Sequence, residues 1–146
     1  MSLYTTSIQL RIDWSEIDFF GHINNLAILR YGQSARVHYL EAIGMMLPRV
    51  RPGIGPVLVS TNCLFKKQLF YPGQVTVHSG VDQVNNTSFH MRHRILDDAQ
   101  EVIAELHDVL VMFDYQKNSK LTIPQEFRDR MAVAPAQGAP VPAVCP

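Results

Sequence analysis

Two cysteines among 146 residues, Cys63 and Cys145, supply neither a disulfide framework nor a zinc spacing. Cys63 falls in a strand-like segment and reads as a small buried hydrophobe. An excess of charge is also absent. Thirteen lysines and arginines balance 13 aspartates and glutamates, so the net charge points to neither nucleic acid nor a membrane surface as partner. No apolar run approaches the roughly 20 residues that cross a bilayer, residues 109–113 falling far short. The opening Met1-Ser-Leu-Tyr-Thr-Thr has neither the basic start nor the apolar core of a leader, and the expectation is a soluble, cytoplasmic protein. No Gly-x-Ser-x-Gly elbow occurs, which argues against a serine hydrolase of the usual α/β type. His90 and His93 are three apart in a strand pattern, point to opposite faces and make a poor metal pair; they read as surface and groove residues.

What is present is 47% hydrophobic content, which suits one domain with a sizeable core, assigned to residues 1–131. Residues 132–146 are low-complexity Ala/Pro/Val sequence, and disorder is expected there. Residues 7–14 alternate Ile8, Leu10, Ile12 and Trp14 against polar partners, among them Asp13, as a half-buried strand does. Residues 25–43 run without proline and present Ile28, Gly32, Ala35, Tyr39 and Ile43 at helical spacing, with Gly44 at the stop. Gly32 beside Ala35 suggests close approach of backbone from a sheet or a partner, or a merely permissive glycine.

Residues 45–56 hold three prolines and two glycines and read as a loop. Strands are then expected over 57–70, 75–85, 89–95 and 101–115, with turns at Tyr71-Pro-Gly-Gln74, Asn85-Asn86 and 97–100. A short helix is expected from Pro124. The order is strand, helix, then four strands in a meander, giving an α+β fold with one antiparallel sheet on a long helix. Asp108 falls on an apolar row of the last strand and marks a bulge, a subunit contact or an error of phase.

The loop before the helix is the leading candidate site. In Trp14-Ser-Glu-Ile-Asp18-Phe-Phe-Gly21-His22-Ile-Asn24-Asn25, Gly21 permits a turn and Asn24 or Asn25 is the right type to cap the helix. The first free amides of a helix suit a carbonyl oxygen that becomes negative during reaction. Asp18 just upstream would pair a nucleophile or base with that oxyanion site.

Asp18-Phe-Phe-Gly-His-Ile-Asn-Asn25 resembles the Asp-x-x-Gly-His-Val-Asn-Asn signature of the hotdog-fold acyl-CoA thioesterases of the 4-hydroxybenzoyl-CoA thioesterase type. Ala35-Arg36, the region around Tyr71-Pro-Gly-Gln74, Asp114-Tyr115, Ser119-Lys120 and Ile123-Pro124 look like later landmarks of that family. The resemblance implies a long helix wrapped by a curved antiparallel sheet of about five strands, in a homodimer or a dimer-of-dimers tetramer with active sites between subunits. It implies hydrolysis of an acyl-CoA or acyl carrier protein thioester with neither metal nor redox cofactor. Asp18 would be the catalytic residue, attacking or directing water, and an amide at Asn25 would polarise the carbonyl, with Gly21, His22 and Asn24 completing the site. His22 either binds substrate or orders the loop. Lys66, Lys67, Arg92 and Arg94 either meet coenzyme A phosphates or form solvated edges.

Ile28 stands where relatives commonly carry tyrosine, and Gln33 where many carry glutamate; the first reshapes the acyl pocket and the second removes a charge near the helix start. Two alternatives remain. A non-catalytic acyl-thioester binder would not need Asp18, and a hotdog dehydratase would need a histidine paired with an acid, a pair that the sequence does not locate.

Overall fold

Every second residue of Ser88–Leu96 is buried, with Phe89, Met91, His93 and Ile95 facing inward, and this alternation is the sheet's inner face met at its middle. The computed structural model describes residues 3–46, 53–132 and 144–145. Its elements are β1 (Thr6–Arg11), a 3-10 turn (Trp14–Glu16), α1 (Asn25–Ala42), β2 (Ile54–Phe65), β3 (Gln74–Val84), β4 (Ser88–Leu96), β5 (Val102–Asp114), β6 (Ser119–Lys120), α2 (Gln125–Ala132) and β7 (Val144–Cys145). The sheet order is β2-β5-β4-β3-β1-β7, with the short β6 against β5. All pairs are antiparallel except β1 with β7. Among the described residues there are two helices: α1 is the long central helix that the sheet wraps, and α2 is the short one expected from Pro124.

Helix α1 lays Ala27, Ile28, Tyr31, Ala35, Tyr39 and Leu40 against the concave face, at the three- and four-residue spacing that an amphipathic helix requires. One core cluster joins its first half to β1, β3 and the adjoining strands through Ile8, Leu10, Val75, Val77 and Ile95. A second joins its C-terminal half to Phe89, Met91, Leu110, Met112 and, from α2, Phe127. At Gly32 the close neighbour is a side chain and not backbone: an added Cβ would lie 2.6 Å from Leu106 Cδ2.

The meander holds for β3, β4 and β5 but not for β2, which pairs with β5 at the far edge. The segment between β2 and β3 is a crossover and not a hairpin. It passes the start of α1, where Ile23 N–H donates to Leu69 O (2.8 Å) and Leu69 is buried. Pro56 lies inside β2 rather than in the preceding loop, tolerated because an edge strand leaves one row of its backbone groups unpaired. β1 ends at Arg11, three residues before the expected limit. Asp13 closes it by capping the 3-10 turn, its carboxylate accepting from Ser15 N (2.9 Å) while its own N–H donates to Glu16 Oε1 (2.8 Å).

Of the tail expected to be disordered, residues 133–143 and 146 lie outside the described residues. Val144–Cys145 forms two pairs with β1. Deleting residues 135–146 is expected to leave the Tm and the oligomeric state unchanged, since so short a ladder adds little. Loss of soluble protein on that truncation would show that the segment packs on the domain. Among the described residues, no helix is long and apolar enough to cross a membrane.

Candidate active site

The loop from Ile17 to Ile23 folds back on itself, its ends joined by an antiparallel bridge between those two residues. Asp18 N–H donates to His22 O (2.7 Å), and Asp18 Oδ1 accepts from Phe20 N (2.9 Å) and His22 N (3.1 Å). Gly21 makes the reversal at a φ of +84°, a conformation that strains any residue bearing a Cβ. The carboxylate therefore has one oxygen tied to its own loop, while the half-buried Asp18 lines a cleft of about 320 Å³.

His22, Asn25, Ile28 and Gln68 line the same cleft, with Phe65 from the end of β2. The structure thus brings together three of the five sequence-predicted site residues: Asp18, His22 and Asn25. His22 packs edge-on against Phe70, with ring centroids 5.2 Å apart. Asn24 does not line the cleft, and both ends of its amide are committed elsewhere. Its Oδ1 accepts from Ala27 N (2.8 Å) as the cap of α1, and its Nδ2 donates to Glu16 O (3.0 Å). Gly21 shapes the loop without lining the cleft. The Asn24 cap satisfies Ala27 and leaves the amides of Asn25 and Leu26 without an acceptor among the described residues.

Lys66 and Lys67 also reach the cleft, whereas Arg92 lines a separate groove with Tyr4 and His107. All four cations named from the sequence carry acidic partners: Lys66 and Arg94 meet Glu105, Lys67 meets Asp97 and Glu101, and Arg92 meets Asp82. Ile28 is buried at the cleft wall. Gln33 instead faces a second groove of about 390 Å³ between α1 and β2, beside Arg30, Arg36 and Leu58, so its missing charge falls there and not beside Asp18.

A buried polar network was not legible in the sequence. Asp108 is fully buried, yet it accepts from Arg36 Nη1 (2.9 Å), Thr61 Oγ1 (2.6 Å) and His93 Nε2 (2.8 Å), and His93 Nδ1 lies 2.7 Å from Ser79 Oγ. The apolar phase of Asp108 was therefore correct, and its charge is met from three other elements. His93 is likewise an inner-face core residue and not a surface one, although it underlies the groove of Arg92 and His107. Burial alone would raise the Asp108 carboxyl, but the bonds from His93, Thr61 and Arg36 outweigh it and hold the pKa at about 2. Ser79, His93 and Asp108 have the composition of a nucleophilic triad and also supply a histidine paired with an acid. Ser79 is 1% exposed and the other two 0%, so no substrate reaches them and the network ties α1 to the sheet.

A family model described as "Thioesterase-like superfamily" matches residues 12–131. A protein from Aquifex aeolicus (strain VF5), named "Putative esterase", is 29% identical over 80 residues. That match covers 54% of this chain and 62% of the relative, so the chain spans about three-fifths of the length of that curated relative. Among solved structures, a thioesterase-superfamily protein from Jannaschia sp. CCS1 is 23% identical with a TM-score of 0.82, covering 93% of this chain and 86% of its own. A DHNA-CoA thioesterase from Staphylococcus aureus is 17% identical with a TM-score of 0.78, covering 95% and 98% respectively. At these identities the structural likenesses show the shared hotdog fold.

Proposed function

The chain belongs to the thioesterase-like superfamily, and from that premise we propose that it hydrolyses an acyl thioester, borne by coenzyme A or acyl carrier protein, to the free acid and the thiol. The observation that carries this reading is the Asp18 carboxylate in one cleft with the open end of α1. Thioester hydrolysis needs a carboxylate acting as nucleophile or base, and donors fixed where the carbonyl oxygen becomes negative.

Asp18 serves in one of two balanced ways. As a nucleophile, its oxygen bonds to the carbonyl carbon, the C–S bond breaks, the thiolate takes a proton from a water, and the oxygen of that water cleaves the mixed anhydride to the free acid and the regenerated carboxylate. As a base, it takes a proton from a water whose oxygen adds to the carbon, and that proton passes to the departing thiolate. In both, the amide of Asn25 meets the developing oxyanion at the positive end of the helix dipole. His22 and Gly21 order the loop, His22 also walls the cleft, and Asn24 holds that amide in place as cap.

The competing reading, an acyl-thioester binder, draws on the two bonds that Asp18 Oδ1 makes to its own loop, which give the residue a structural use without chemistry. Release of free thiol from a panel of short, long and aromatic acyl-CoA esters separates the two. Turnover of any ester above the spontaneous rate supports the hydrolase. Saturable binding of an ester without thiol release would favour the binder.

We further propose that the protein is a homodimer, alone or paired into a tetramer. β2 is an edge strand whose Leu58, Val59, Leu64 and Phe65 are 39–58% exposed, and Phe19 and Phe20 stand 95% and 77% exposed at the tip of the Asp18 loop. An unprotected apolar edge of this kind is a liability that symmetric pairing removes. Sedimentation at micromolar concentration should give at least twice the 16.5 kDa chain mass. A monomer would contradict the pairing.

A further inference from the structure

We infer that Glu16 is a positioning residue that sets the Asp18 carboxylate against the start of α1. The inference rests on the reading of Asp18 as the reacting group. Glu16 is only 5% exposed, although a carboxylate is costly to bury unless it is paired and hydrogen-bonded. Its polar atoms reach the 3-10 turn, helix α1 and the helix cap. Oε1 accepts from Asp13 N (2.8 Å) in the 3-10 turn and from the Tyr31 hydroxyl (2.7 Å) in the second turn of α1. Oε2 lies 3.4 Å from Arg30 Nη1. The backbone oxygen accepts from Asn24 N (2.9 Å) and Asn24 Nδ2 (3.0 Å), the residue that caps the helix.

Residues 17–23 thus leave Glu16 and return to Asn24, and both ends of the loop meet at one buried residue that is itself fastened to α1. Tyr31 keeps its proton throughout the working range, since burial and the bond to Glu16 both raise its pKa, so the tie is a permanent donor. The link works through the backbone: Glu16 itself does not line the cleft. An apolar residue would fill the same volume, but only an acceptor here fixes the rotation of the loop about the helix axis. A misplacement of about 1 Å at a reacting group can cost on the order of 100-fold in rate.

The test is a double-mutant cycle on the intact chain, with kcat and KM measured on one acyl-CoA ester. Glu16→Ala is expected to lower kcat roughly 10- to 100-fold with KM changed only a few-fold. Glu16→Gln keeps an acceptor for Asp13 and Tyr31 and should restore kcat to within a few-fold of wild type. In an Asp18→Asn background, Glu16→Ala should lower the residual rate no further, because there is no carboxylate left to position. Should Glu16→Ala fold poorly, Tyr31→Phe removes one tie alone and is expected to lower kcat several-fold with Tm nearly kept. If Asp18→Asn stays active, the reading of Asp18 fails. If Asp18→Asn is inactive but Glu16→Ala or Tyr31→Phe leaves kcat unchanged, or if the Glu16 and Asp18 effects multiply independently, the positioning role of Glu16 is overturned.

Discussion

Asp108→Ala is expected to lower the Tm on the order of 10 °C. The substitution removes the fully buried partner of a largely buried ion pair and leaves the Arg36 side chain, 13% exposed, without its counter-charge. Breaking such a pair from one side costs about 3–5 kcal/mol, a large share of the 5–15 kcal/mol that typically holds a domain together. Asp108→Asn keeps an acceptor for Thr61 and should fall between wild type and alanine. Thermal denaturation followed by circular dichroism measures all three. An alanine variant within 2–3 °C of wild type would mean that the network adds little to the fold.

The same group gives a pH dependence of definite sign. The folded pKa of Asp108, about 2, lies below the ordinary 3.8, so the contribution of the carboxylate is complete above the unfolded value and is lost as pH falls from there toward 2. Asp108→Asn should therefore lose less stability than wild type on passing from pH 5 to pH 2.

This network also marks where the sequence ceases to be legible. Asp108 could be placed on the apolar phase of β5 from period-2 alternation alone, but its partners Arg36, Thr61 and His93 are far away in the chain, and no local pattern brings them together. The pairing of β2 with β5 is hidden in the sequence for the same reason. Chain order favours neighbours, and the crossover past Ile23 and Leu69 is a tertiary contact. By contrast, the loop 17–23 and the cap at Asn24 were readable because glycine at a reversal and asparagine before a helix are local requirements. One further local signal bears on this region. Asp13-Trp-Ser-Glu16 has the spacing of a capping box, and that spacing alone would have ended β1 at Arg11 and drawn attention to Glu16.

Asp18→Asn is expected to reduce kcat by about 100-fold or more while leaving fold and ester binding intact. Catalytic acid–base groups contribute roughly 10²–10⁴-fold, and a nucleophile can contribute more. Asparagine retains the oxygen that accepts from Phe20 and His22, so the loop keeps its shape and only the negative charge is removed. Asp13, on the polar phase of the expected first strand, caps the 3-10 turn and is no neutral control. Asp129, exposed on α2 and bonded to Gln125, serves instead. The decisive measurement is the turnover of one acyl-CoA ester by wild type, Asp18→Asn and Asp129→Asn side by side, with binding of the intact ester to Asp18→Asn measured by calorimetry. The account predicts that Asp18→Asn binds the ester but releases thiol at about 1% of the wild-type rate or less, with Asp129→Asn unaffected. Turnover by Asp18→Asn near that of wild type, or a loss no greater than that of Asp129→Asn, would contradict it.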